Sequence, residues 1–357
     1  VAVFTGGTSY QRGSGCAGQA GSGRAIYVVD LQTGSLIRRF LGYDNGSGWQ
    51  PFDAAVVGTP ALYDNQTGSL VTRGFVGDAS GKMFRIDFGS SNPAEWEVTL
   101  FADPAAPANV PALTDETNLG AASSKPAVAL GQNDNLVVVY GLGDVSDTVK
   151  ANEEHMMVAI RETTASIEGN GSTTQGDVLW HLDSDNQFLD SEKITGEPVI
   201  FNRGVYFTSY YRSDDEYCAT GRSRIWGLQF DSGSTGGGVP AGVYDCGSGT
   251  QLGELDNCNA RYFEPKDDVL IRGLTITLGP SCTVEGSDRA SASIREQDNR
   301  QPTLIAQTGG ADPGSSIEGG SSPSSGSAAG DFIKKLEVGL DAPSSQTVPM
   351  SWTVISQ

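Results

Sequence analysis

Short apolar runs separated by turn residues are the dominant pattern along this chain. Residues 25–30 form a β-branched and aromatic run, residues 31–34 (Leu-Gln-Thr-Gly) supply a turn, and residues 35–38 begin a return strand. Residues 74–78 and 82–87 form a second strand–turn–strand pattern, with the short turn between them. This pattern predicts antiparallel hairpins and very little helix.

The same strand–turn–strand phrase recurs later in the chain, where residues 136–140 precede 156–160 and residues 204–208 precede 223–228. The units lie roughly 40 to 70 residues apart, which is near the length of a propeller blade. A four-stranded blade cannot bury both of its faces alone, and radial stacking of blades solves that problem. We therefore predict an all-β fold, a modified β-propeller of about seven blades with long loops. An array of β-sandwiches is the alternative.

One domain over residues 1–357 is the predicted organisation. Residues 309–330 are rich in Gly and Ser and are expected to form a flexible loop within that domain. Residues 332–340 and 348–356 are interpreted as closing strands, and a C-terminal strand is expected to complete a blade begun near the N-terminus. Residues 150–163 fit one short helix, although 156–160 fit a strand equally well.

Composition narrows the function classes. The net charge is −20, which disfavours nucleic acid as a partner because both surfaces are negative. The sequence contains no apolar run of roughly 18 residues, so no membrane-spanning helix is predicted. The apolar run at residues 1–4 is interpreted as part of a β-strand. We therefore expect this chain to be a piece of a longer secreted protein.

Cysteine usage favours an oxidising, extracellular compartment. None of the five cysteines lies in a Cys-x-x-Cys pair. Cys218, Cys246, Cys258 and Cys282 are concentrated in a Gly- and Ser-rich stretch and are the disulfide candidates. Cys16 is expected to be the odd thiol.

Several phrases resemble the type IV pilus tip adhesins of the PilY family. Residues 75–87 (Phe-Val-Gly-Asp-Ala-Ser-Gly-Lys-Met-Phe-Arg-Ile-Asp) resemble that family's Gly-Asp-x-x-Gly-x-Leu-Trp-Arg-Phe-Asp signature. The other resembling phrases are residues 23–34, 58–61, 196–208, 218–226, 301–309 and 351–352. They follow the family's order and cover most of the chain.

The resemblance implies a non-enzymatic, extracellular propeller module at the tip of a pilus on the cell surface. It implies roles in pilus assembly, surface adhesion and twitching motility. The implied partners are minor pilins at the tip and a host or abiotic surface, with no nucleic acid and no membrane span. No cofactor is required by this interpretation, and calcium is the ion that the family's EF-hand-like loop binds.

Two acidic stretches are the calcium candidates. Calcium needs several oxygen ligands in one short loop with a glycine at the bend. Asp64, Asn65 and Thr67 offer oxygens, but the further carboxylates are missing, and an ordinary hairpin turn is the alternative. A second run contains Asp183, Asp185 and Asp190 without the EF-hand spacing, and a solvated loop is the alternative.

Catalytic signals are weak. The sequence contains two histidines, His155 and His181, and no Gly-x-Ser-x-Gly elbow. We interpret His155 as a packed or surface histidine and His181 as a strand residue. The enzymatic alternative is a quinoprotein dehydrogenase, whose blades carry a similar Tyr-x-x-Asp-x-x-Thr-Gly phrase, but its adjacent cysteines are not found here. A carbohydrate- or protein-binding propeller unrelated to pili is a third hypothesis. Its candidate binding aromatics are Trp49, Tyr210, Tyr211 and Tyr217, which a blade core also explains.

Overall fold

The structure is a computed structural model with a nearly all-β architecture. It describes residues 1–7, 23–44, 49–52, 54–64, 70–103, 120–131, 135–143, 155–162, 176–183, 187–189, 192–211, 221–234, 237–240, 255–259, 261–265, 270–278, 302–309 and 333–335. Within these residues the one helical element is a 3-10 turn, Pro93–Glu95. No helix among them has the length and apolar character needed to cross a membrane.

The strands are grouped into sheets that follow chain order, and every pairing is antiparallel. The first sheet contains β1 (Ala2–Thr5), β2 (Ala25–Val29) and β3 (Leu36–Leu41). The short strands β4 (Tyr43–Asp44) and β5 (Trp49–Gln50) pair with each other. The second sheet is a meander of β6 (Ala61–Asp64), β7 (Val71–Gly77), β8 (Met83–Asp87) and β9 (Glu97–Ala102).

The third sheet repeats the four-stranded meander with β10 (Ala127–Leu130), β11 (Leu136–Leu142), β12 (Met156–Glu162) and β13 (Gly176–Leu182). The fourth sheet contains β14 (Lys193–Ile194), β15 (Val199–Phe201), β16 (Gly204–Tyr211), β17 (Arg222–Ser234), β18 (Gly237–Pro240), β19 (Leu255–Asn259) and β20 (Tyr262–Pro265). The fifth contains β21 (Leu270–Leu278), β22 (Pro302–Gly309) and β23 (Ile333–Lys335).

The hydrophobic core lies between consecutive sheets. Val28 of the first sheet packs with Phe84 of the second, and Phe75 of the second packs with Val158 of the third. Similar clusters join the third sheet to the fourth and the fourth to the fifth. The third sheet is apolar on both faces, since every residue of β11 is buried. Meander sheets that stack face to face in chain order are the blades of a β-propeller, so the predicted fold class is confirmed.

The segment before a meander is hydrogen-bonded to the sheets on both sides. The backbone N–H of Ala122 donates to the carbonyl of Asp78 at 2.9 Å, and the N–H of Gly143 donates to the carbonyl of Ala121 at 3.0 Å. A Cβ atom at Gly77 would overlap both the side chain and the carbonyl of Ala122. This close approach of two backbones requires glycine at position 77.

The predicted hairpins are confirmed at residues 25–41, 71–87, 136–162 and 204–228. The choice between helix and strand near residue 156 is decided for strand, because Met156–Glu162 pairs with strands on both sides. Residues 310–330 and 348–356 lie outside the described residues. The single-domain organisation and the number of blades therefore remain predictions.

Candidate functional site

A buried ion triad joins the second and third sheets. Glu162, near the end of β12, accepts a hydrogen bond at Oε1 from Nη1 of Arg85, with the two atoms 2.9 Å apart. Arg73 on β7 donates to Oε2 of the same carboxylate. The side chains of Arg85 and Glu162 are only 6% and 5% exposed. Because an isolated buried charge is costly, each side chain depends on the other for its place in the interface.

A second network is centred on Arg224 in the fourth sheet. Its Nη1 lies 2.9 Å from Oε2 of Glu192, and its Nε lies 3.3 Å from Oε2 of Glu264. The rings of Tyr211 and Tyr262 lie 4.8 Å and 4.5 Å from its guanidinium carbon. The cation is therefore held by two carboxylates and by two aromatic faces.

Glu192 is the most constrained carboxylate of this network. It also accepts hydrogen bonds from the hydroxyl of Ser209 and from the N–H of Leu189, the latter at 2.8 Å. Ser209 in turn accepts a hydrogen bond from the indole N–H of Trp226 at 2.8 Å. Burial raises the pKa of the Glu192 carboxyl, and the Arg224 guanidinium opposes that rise.

Tyr211 lies at the half-buried border of the same network. Its hydroxyl donates to Oε1 of Glu264 at 2.7 Å, and Nη1 of Arg222 donates to the same oxygen at 3.1 Å. Burial, followed by this hydrogen bond and the negative charge of Glu264, raises the pKa of Tyr211 to about 12. Tyr211 therefore contributes to the network within the fourth sheet.

Of the other candidate binding aromatics, Tyr210 also makes a hydrogen bond within the fourth sheet. The hydroxyl of Tyr210 accepts a hydrogen bond from the N–H of Gly221 at 3.0 Å, which ties the ends of β16 and β17 together. Trp49 lies in β5, where its side chain is outside the described part of the chain, as is the whole of Tyr217.

The first calcium candidate lies at a hairpin. Asp64 is the last residue of β6 and pairs with Val71 of β7. Asn65 and Thr67 lie outside the described residues. No group of three or more His, Cys, Asp or Glu side chains suited to a metal occurs in the described ranges. Calcium binding by this loop remains a prediction.

The second calcium candidate begins at a buried pair. Oδ2 of Asp183 lies 3.2 Å from Nε2 of His181, and both side chains are 2% exposed. The carbonyl of Asp183 accepts hydrogen bonds from the N–H groups of Gln187 and Phe188. Asp185 and Asp190 lie outside the described residues, so their role remains a prediction. At its two described ends, Asp183 and Glu192, this acidic run is buried.

The structure describes both histidines but only the backbone of one of the five cysteines. His155 and His181 are both buried, and Nδ1 of His155 accepts a hydrogen bond from the N–H of Ile194 at 3.4 Å. The prediction that His181 is a strand residue is confirmed, since it lies in β13, and of the two alternatives for His155 the structure shows the packed one. Cys258 lies in β19, and its side chain is outside the described part of the structure. The other three disulfide candidates, Cys218, Cys246 and Cys282, lie outside the described residues, as does Cys16.

The signature phrase forms the turn between β7 and β8. Oδ1 of Asp78 accepts hydrogen bonds from the N–H of Ser80, from its hydroxyl and from the N–H of Lys82, at 2.9, 2.8 and 3.0 Å. Gly81 closes the turn with φ of 85°, a conformation that favours glycine. Asp30 also accepts three hydrogen bonds at Oδ1 in the exposed turn after β2, one from Gln32 and two from Thr33.

Sequence reasoning did not single out Glu162, Arg224 or Glu264, the charged residues that hold the two networks together. Arg85 and Glu162 carry one detectable signal, since each is a charged residue inside or at the end of a mainly apolar strand, whereas Arg224 lies in the polar first part of β17. Such a residue needs a charged partner when its strand is buried on both faces. The identity of that partner is a tertiary property, and it lies 32 to 89 positions away in these networks.

No protein-family model matches this chain, and neither does the sequence of any curated protein. Solved structures that resemble it include a europium-containing methanol dehydrogenase, at 12% identity and a TM-score of 0.37 over 81% of this chain and 45% of that one. The quinohemoprotein alcohol dehydrogenase ADHIIG from Pseudomonas putida HK5 aligns at 12% identity and a TM-score of 0.38, over 80% and 36%. Drosophila Plexin A in complex with Semaphorin 1b aligns at 10% identity and a TM-score of 0.22, over 81% and 69%.

The chain spans less than half the length of the two dehydrogenases. At these identities and TM-scores the similarities carry no inference about activity.

Proposed function

We propose that this chain is a non-enzymatic, extracellular propeller module of a type IV pilus tip protein, which supports pilus assembly, surface adhesion and twitching motility. The observation that carries the proposal is the position of the signature phrase at residues 75–87. Its Asp, its second Gly and its Arg each have a separate structural role, as Asp78, Gly81 and Arg85. These roles support the proposal because the positions shared with the family's signature are used structurally in this chain.

The buried charges support a scaffold rather than an active site. Glu162, Glu192 and Glu264 each bind at least one arginine, so their charges are neutralised within the blades. A general acid or base needs a carboxylate that reaches a substrate. These carboxylates are at most 5% exposed. Glu162 stabilises the interface between the second and third sheets instead, and Glu192 and Glu264 stabilise the fourth sheet.

The proposed partners are minor pilins at the pilus tip and a host or abiotic surface. The net charge of −20 favours basic or neutral partner surfaces over nucleic acid. Calcium is the ion that the proposal allows, either at the loop that begins with Asp64 or at the run that contains Asp183, Asp185 and Asp190.

The test is an in-frame deletion of residues 1–357 from the encoding gene in the source bacterium. We expect surface pili and twitching to be lost while the major pilin is still synthesised. The matched control carries Asp177→Asn, which removes one side of an exposed ion pair with Arg161 and is expected to leave piliation normal. Normal piliation and motility in the deletion strain would overturn the proposal.

A further inference from the structure

We draw no further inference here: the strongest candidate, the exposed apolar face of the first sheet where Phe4 stacks on Tyr27, carries none because nothing in the described residues shows what covers that face.

Discussion

Nη1 of Arg85 lies 2.9 Å from Oε1 of Glu162 across the interface between the second and third sheets, and both side chains are buried. Arg73 binds the second oxygen of the same carboxylate. The contact links β8 to β12, whose residues are 77 positions apart at this point. It is the electrostatic counterpart of the apolar cluster that joins the same two sheets.

Loss of the Glu162 carboxylate should weaken this interface strongly. Glu162→Gln leaves two guanidinium groups without their shared counter-ion, so we expect the free energy of unfolding to fall by about 3 kcal/mol. Urea denaturation of the purified chain measures the change. Asp177→Asn removes an exposed partner of Arg161 and is expected to cost less than about 1 kcal/mol. Equal effects of the two substitutions would contradict a structural role for the triad.

The two aspartate turns provide a matched comparison. Asp78→Ala removes the acceptor of three hydrogen bonds in a buried turn, and we expect a loss of about 2 kcal/mol of stability. Asp30→Ala removes the same kind of contacts from an exposed turn, where water replaces them, and the loss should be much smaller. Thermal unfolding of both variants checks the order. A larger effect at Asp30 would show that burial does not determine the strength of the turn.

Gly77 should tolerate no larger side chain. In Gly77→Ala the new methyl group overlaps Ala122, and we expect a loss of about 2 kcal/mol or more because a sheet junction must shift. The control is Gly34→Asn, where φ is 68° and the space around a Cβ atom is open. Asparagine tolerates that conformation, so the control should lose less than about 1 kcal/mol. Circular dichroism melting curves of the two variants provide the comparison.

Tyr211 should make stability dependent on alkaline pH. Its pKa is raised from 10.0 to about 12 in the folded chain, mainly by burial, so the folded state holds this proton more tightly than the unfolded state. The stabilisation is fully present below pH 10 and is lost as pH rises towards 12. Tyr211→Phe should therefore show a shallower loss of stability over that range than the parent chain. An identical slope in both proteins would exclude a perturbed Tyr211.

Local patterns were sufficient to predict the strands. The run at residues 25–30 contains β2, and the turn at 31–34 connects it to β3 in a hairpin. Residues 82–87 contain β8. Alternation, β-branched residues and Gly-containing turns act over a few positions, so they are readable from the chain alone. The two hairpins were interpreted as copies of one phrase, and they lie in different sheets, as β2–β3 and β7–β8. Strand position within a sheet depends on neighbouring sheets, which a local pattern does not report.

The candidate site was predicted less well than the fold. The acidic run from Asp183 to Glu192 was interpreted as a cation loop or a solvated loop, yet both ends are buried against His181 and Arg224. The residues next to an acidic side chain in the sequence do not show whether its carboxylate binds a metal, water or an arginine. Only the distance to its partner distinguishes these cases, and the partner comes from another strand or another sheet.

The sequence by itself determined that this protein is all-β, rich in hairpins, strongly acidic and built from blade-sized units, because each of these properties arises from short-range pattern or from composition. The tertiary structure alone decided which buried charges pair and which backbone segments approach each other closely, as Gly77 and Ala122 do. Those properties depend on side chains and backbone groups that are distant in the chain. They become neighbours only when the sheets stack, since stacking removes water from the interfaces and makes every unpaired polar group costly.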